Sequence, residues 1–268
     1  MLKDITLGQY FPGKSLIHRL DPRTKLIFLV VFIVALFLCG GWVSYCVMLL
    51  TLSAAIVLSR VPLKAFFKGL KPLLFILVFT AVLNLFFTAG EKPLFTLGFI
   101  TVYPEGIIRA VLMLLRIMML VMATFLLTYT TSPIALTDGL ESLRSPLKKI
   151  KLPVHELSMI MCIALLFIPT LIEETDKIMS AQKARGADFE TGSLIQRVKA
   201  LVPILIPLFI SAFRRADELA IAMESRCYQG GDGRSKMKLL RFKGIDLYVF
   251  AFAAVMVAGV CLLKNWGL

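Results

Sequence analysis

Apolar residues run along this chain in blocks too long for a soluble core. Leu26 to Ser59 carries no charge at all. As one helix it would reach about 51 Å at ~1.5 Å per residue, well beyond a hydrocarbon core of about 30 Å. Gly40-Gly41 sits near its middle, so the run predicts two short spans joined by a turn. A third span is predicted over the uncharged Pro72–Gly90, and a fourth over Ile107–Ser132, which contains Arg109 and Arg116. Leu247–Leu263, also uncharged, predicts the fifth. Residues 132–244 follow another pattern. Two shorter apolar runs, Leu157–Ile172 and Ala200–Phe213, each lead into a charged helical stretch. Runs of that length suit buried or interfacial segments better than spans. The expected fold is an all-α integral membrane protein with about five transmembrane helices plus two to three long cytoplasmic or interfacial helices. Three regions follow: a four-span membrane domain over 1–131 after a cytoplasmic arm, a cytoplasmic domain over 132–244, and a C-terminal transmembrane helix over 245–268.

Composition agrees with this pattern, and charge orients it. The chain is 58% hydrophobic with mean hydropathy +0.84, far above a soluble domain. Nearly all of the 30 Lys and Arg fall in the N-terminal arm, the 60–71 loop and the 132–244 segment. The opposite side carries Lys92 and Lys264 alone. The positive-inside rule places the N-terminus in the cytoplasm and the C-terminus outside. The net charge of +13 is then a topology signal and an affinity for anionic headgroups rather than a nucleic-acid footprint.

The motifs exclude more than they assign. Gly8–Ser15, GQYFPGKS, matches the phosphate-loop pattern letter for letter. A phosphate loop needs a buried strand before it and consecutive backbone N–H groups within it. Here a short charged heptapeptide precedes Gly8, Pro12 removes one donor, and no strand ending in a magnesium-binding Asp follows. The five cysteines form no C-x-x-C pair, and His18 and His155 are isolated, so no metal site is expected. No hydrolase or metalloprotease signature occurs. A stand-alone secondary transporter is the alternative class, but such proteins carry ionisable groups at mid-membrane for ion coupling. The five spans hold Arg109, Arg116 and Asn84 and no acid.

The 132–244 region contains an internal repeat. EETDKIMSAQKARG from Glu173 aligns with RRADELAIAMESRC from Arg214. Each unit starts with an i,i+4 charge pair, Glu173–Lys177 and Arg214–Glu218, which supports a helix. Each ends in an Arg between small residues: Ala184-Arg185-Gly186 and Ser225-Arg226-Cys227. Gly186 can take the left-handed conformation that closes a helix. The second unit lacks that glycine, and Gly230-Gly231-Asp232-Gly233 is expected to end it instead. An Arg at a helix C-terminus can simply complement the dipole. Two in register, each with small neighbours, point to docking, because a partner can then close over the five-donor fork of the guanidinium.

With these residues in view, the chain resembles the transmembrane T component of energy-coupling factor transporters over nearly its whole length. GQYFPGKSLIHRLDPRTKL is similar to that family's opening segment, and the two Arg tips to its paired x-Arg-x motifs. The resemblance implies a non-catalytic subunit of a prokaryotic plasma-membrane importer with no bound cofactor. Two homologous ATPases, which use ATP and magnesium, would dock on two coupling helices at residues 184–186 and 225–227. A separate membrane S component would bind a vitamin or similar micronutrient, and ATP-driven motion would pass to it through this chain. For the S component's surface, the flexible side chains of Met113, Met118, Met119, Met122, Met159 and Met161 are the candidates.

Overall fold

The computed structural model describes residues 10–87, 95–97, 100–144, 154–187, 189, 193–230, 240 and 242–265. The chain divides into two units, Gly8–Gly139 with Leu240–Leu268, and Met1–Leu7 with Leu140–Leu239. The expected C-terminal span therefore belongs to the same unit as the N-terminal spans, and the boundary falls inside a helix, α7 (Pro133–Arg144).

The larger unit is helical. A one-turn α1 (Leu16–Arg19) precedes α2 (Pro22–Leu38), which begins as the sequence dictates. Asp21 caps it, its carboxylate accepting from Arg23 N at 3.0 Å, and Pro22 sits at the first helical position where no donor is needed. The uncharged run breaks at the glycine pair: α2 stops at Leu38 and α3 (Trp42–Ser59) starts directly after Gly41. α4 (Leu63–Leu70) and a 3-10 turn (Lys71–Leu73) lead into α5 (Leu74–Phe87). Two three-residue strands that the sequence pattern did not predict, β1 (Phe95–Leu97) and β2 (Ile100–Val102), pair antiparallel with Thr96 opposite Thr101. α6 (Pro104–Thr130) and α10 (Gly244–Asn265) complete the unit.

α6 is the organising element, with α2, α3, α4 and α5 packed on it and α10 laid along α2. Phe32, Leu36, Met48, Met119 and Val260 are buried between these helices. Gly69 on α4 permits one close approach: a Cβ there would meet the Phe125 ring at 2.6 Å. Among the described residues, length and apolar composition qualify five helical segments to cross a membrane: α3, Leu63–Leu85 across α4 and α5, α6, Glu156–Ala184, and α10. The membership differs from the expected five at two places. α2 has 17 residues, the lower edge of about 17–25 for a span. Glu156–Ala184 enters because its apolar half continues unbroken into a charged one.

The N-terminal arm shows what the phosphate-loop letters are for. Gly8 and Gln9 lie outside the described residues. Ser15 Oγ accepts from His18 N at 3.4 Å and lies 2.7 Å from His18 Nδ1, so its hydroxyl caps α1. His18 Nε2 bonds Phe11 O at 2.9 Å. Phe11 N donates to Tyr129 O at 3.0 Å, and the two rings meet edge-to-face at 5.4 Å. The arm is thus pinned to the end of α6, and Lys14 is exposed.

At that same end, polar groups tie α2, α6 and α10 together. Asp246, 1% exposed, accepts from Asp21 N at 3.1 Å and Lys243 N at 2.7 Å. Lys25, one residue before the first apolar run, donates to Thr130 O at 2.8 Å and Thr131 Oγ1 at 3.2 Å. Burial pushes the Lys25 ammonium down to about 8, against the pull of Asp21 and Asp246 in the other direction. Further along α6, Arg116 Nε donates to Tyr45 Oη at 2.8 Å, and its guanidinium lies over the Phe37 and Tyr45 rings at 5.5 and 5.7 Å. Asn84 donates to Thr80 O at 2.9 Å and Met113 Sδ at 3.5 Å.

Candidate partner-docking site

The second unit is dominated by two long helices, α8 (Val154–Ala184) and α9 (Leu194–Glu224), of 31 residues each. Ser193 starts α9 with a capping box, its hydroxyl on Gln196 N while the Gln196 side chain returns to Ser193 N. Three cross-contacts fix how the helices meet. Tyr228 Oη lies 3.0 Å from Met159 Sδ, Arg215 Nη2 lies 3.3 Å from Glu174 Oε2, and Gln182 Nε2 donates to Pro203 O at 3.4 Å. Residue number rises on one helix as it falls on the other, so the pair is antiparallel.

Glu174 and Arg215 are also equivalent positions in the repeat. Equivalent positions meeting face to face define a pseudo-two-fold axis at that ion pair. The repeat was legible in the sequence, but the pairing was not, because nothing local says which residues of two helices will cross. The two predicted i,i+4 pairs fare differently. Arg214 Nε binds Glu218 Oε1 at 3.1 Å. Glu173 and Lys177, both exposed, make no ion pair among the described residues. Such exposed pairs stabilise a helix by only about 0.2–0.5 kcal/mol, so side-chain entropy can win.

The helix ends match more closely than their sequences do. After α8, Gly186 takes φ +88°, its N–H bonds Lys183 O at 3.0 Å, and Ala187 N bonds Gln182 O at 3.0 Å. After α9, Cys227 takes φ +56°, its N–H bonds Glu224 O at 2.8 Å, and Tyr228 N bonds Met223 O at 3.1 Å. Each is the same left-handed Schellman closure, at equivalent positions of the repeat. The expectation that the downstream glycines end α9 is corrected: Cys227 ends it first, accepting a left-handed conformation that costs an L-residue about 1–2 kcal/mol. Gly231 to Gly233 lie outside the described residues.

This geometry places Arg185 and Arg226 at the same step of the same cap. The terminal carbonyls are met by backbone N–H groups, not by guanidinium. Both side chains are exposed, and neither hydrogen-bonds nor pairs among the described residues. Their neighbours Ala184, Gly186, Ser225 and Cys227 are exposed too, and a Cβ on Gly186 would meet nothing within 4 Å. Arg185 lies beyond Glu174, and Arg226 beyond Arg215, by the same interval of about three helical turns, in opposite directions. At ~1.5 Å per residue the tips are about 33 Å apart along the pair. One tip cannot share a guanidinium pocket with the other.

The methionines separate by environment. Met119 is fully buried in the core of the larger unit, which removes it as a surface contact of the folded chain. Met122 packs against that core, and Met118 is half-buried. Met113 and Met161 are exposed at 40% and 52%, and Met159 is held by Tyr228. Sequence spacing missed a broader surface on α9. Leu205, Ile206, Phe209, Ile210 and Phe213 are all more than half exposed. Among the described residues no cluster of His, Cys, Asp and Glu could hold a metal ion.

The fold and site define a class: a multi-pass helical membrane protein carrying an antiparallel helix pair with two matched cationic tips. The family model for CbiQ, described as cobalt transport protein, matches residues 13–239. The energy-coupling factor transporter transmembrane protein EcfT of Clostridium kluyveri is 53% identical over 267 residues, 99% of either chain. The proteins of that name from Ruminiclostridium cellulolyticum and Bacillus subtilis are 50% and 49% identical, covering 98% and 96% of this chain and 98% and 97% of their own. The chain belongs to this family of energy-coupling factor transporter transmembrane components, as the opening segment and paired tips implied.

Proposed function

We propose that this chain couples two ATPases to a substrate-binding S component for uptake of a vitamin or similar micronutrient. One ATPase docks on each tip, through residues 184–186 and 225–227. The observation that carries the reading is the pair of matching caps, each presenting an exposed guanidinium, about 33 Å apart. Two equivalent tips around a pseudo-two-fold axis suit two similar partners, in the way that symmetric assemblies repeat one contact. The exposed apolar face of α9, with Met159 and the exposed Met161 on α8, offers an adaptable surface for the S component, and the exposed Met113 of the larger unit is a separate candidate contact. In this reading the chain itself binds no cofactor, and the basic face, with the N-terminus, is cytoplasmic while the C-terminus is outside.

A secondary transporter finds less support, because Arg116 and Asn84 are both spent on internal contacts. Isolation of the tagged chain from native membranes, followed by mass spectrometry, tests the proposal. Two ATPases and a small membrane protein should accompany it. A chain that purifies alone and drives ion-coupled uptake in vesicles would overturn it.

A further inference from the structure

The larger unit contains a cavity of about 370 Å³ between α2, α3, α6 and α10, at the end that carries the basic arm. Ile17 of α1 and Leu20 roof it. Ala55 and Ala123 leave the room that larger side chains would fill. α10 touches α3 only sparsely while packing along α2, so the cavity has a side facing hydrocarbon. Lining residues Leu58 and Phe252 are 49% exposed, so it is a half-open apolar groove between the helices and not a sealed void.

Water finds few partners in it. A buried water needs two to four polar partners, and the lining offers only three polar side chains. Thr51 Oγ1 already donates to Met48 O, Thr130 Oγ1 to Leu126 O, and Lys25 Nζ to Thr130 O and Thr131 Oγ1. The remaining lining is aliphatic or aromatic. The fitting occupant is hydrocarbon. Exposed Arg19 directly precedes the lining residue Leu20, exposed Arg60 lies two residues beyond the lining residue Leu58, and α1 packs on α3, while Asp21 and Asp246 are buried and hydrogen-bonded away. Cations at a membrane surface select anionic headgroups.

We propose that this cavity holds one acyl chain of an anionic glycerophospholipid, drawn from the leaflet on the basic side, with its phosphate between Arg19 and Arg60. The site is separate from the docking tips and would make the helix packing of the larger unit depend on lipid. The test uses the full-length chain in phosphatidylcholine vesicles doped with a phosphatidylglycerol bearing a diazirine on its acyl chain. After photolysis, peptide mass spectrometry should find adducts on Phe28, Leu52 and Leu126. Their yield should exceed that from a phosphatidylcholine probe with the same chain several-fold. Ala55→Phe, which fills the cavity, should lower it several-fold, and if that variant does not insert, Ala55→Leu gives the same reading. Arg19→Ala with Arg60→Ala should erase the headgroup preference while leaving adducts. Adducts confined to the outward-facing Val30, Leu50 and Val57, or equal yields from both headgroups in the unaltered chain, would overturn the proposal.

Discussion

Replacing Arg185 and Arg226 with Ala, singly and together, tests the docking reading most directly. A hydrogen bond to a charged group contributes about 1.5–3 kcal/mol net. Each single substitution should therefore weaken binding of one ATPase by roughly 10- to 150-fold at about 1.4 kcal/mol per decade. The tips are about 33 Å apart, far beyond the separation of about 7–10 Å within which mutational effects couple, so the two losses should add to within about 0.5 kcal/mol. The double change should then cost about 3–6 kcal/mol in summed docking energy. Folding should be spared, because the last carbonyls of both helices are closed by backbone N–H groups and not by these side chains. Arg→Lys should recover only part of the loss, since Lys keeps the charge but not the fork. The assay is ATPase binding to the purified full-length chain in nanodiscs, with thermal unfolding measured alongside. Full affinity in the double variant would reduce both arginines to dipole partners. A coupling energy well above about 1 kcal/mol between the two sites would refute independent tips.

Three further expectations follow from local geometry. Gly186→Ala should loosen the first cap by about 1 kcal/mol and Cys227→Gly should tighten the second by a similar amount, read as opposite, roughly fivefold changes in hydrogen exchange at Ala187 and Tyr228. Gly69→Ala should destabilise the larger unit by about 1–3 kcal/mol through overpacking on Phe125, and Phe125→Leu should restore much of the melting temperature. Lys25 makes stability rise with pH: its folded value of about 8 lies below the ordinary value of 10.5, so between the two the unfolded chain holds more proton. The gain is up to about 3 kcal/mol across that window. Melting temperature should climb from pH 8 to 10 in the parent chain and climb less in Lys25→Met; equal slopes would remove Lys25 as the cause.

Periodicity, uncharged run length and the internal repeat made most of the fold legible without coordinates. A bilayer demands about 20 apolar residues per helix and full backbone pairing, so span positions follow from local composition. The break at Gly40-Gly41 and the failure of the Gly8–Ser15 loop were readable for the same reason: each depends on a few adjacent residues. The Asp21-Pro22 helix start depends on as few, although run length alone does not mark it. The repeat also put Arg185 and Arg226 at matched places. Only the tertiary structure decided what lies across from what. That Glu174 meets Arg215, that the tips point in opposite directions, that Met119 is core while Met161 is surface, and that four helices leave an apolar groove beside Lys25 all depend on contacts between residues distant in sequence. Cys227 shows the limit most plainly. Local propensity argues against a left-handed cysteine, yet the closure that matches Gly186 is worth more than the strain, and only the assembled helix end reveals that balance.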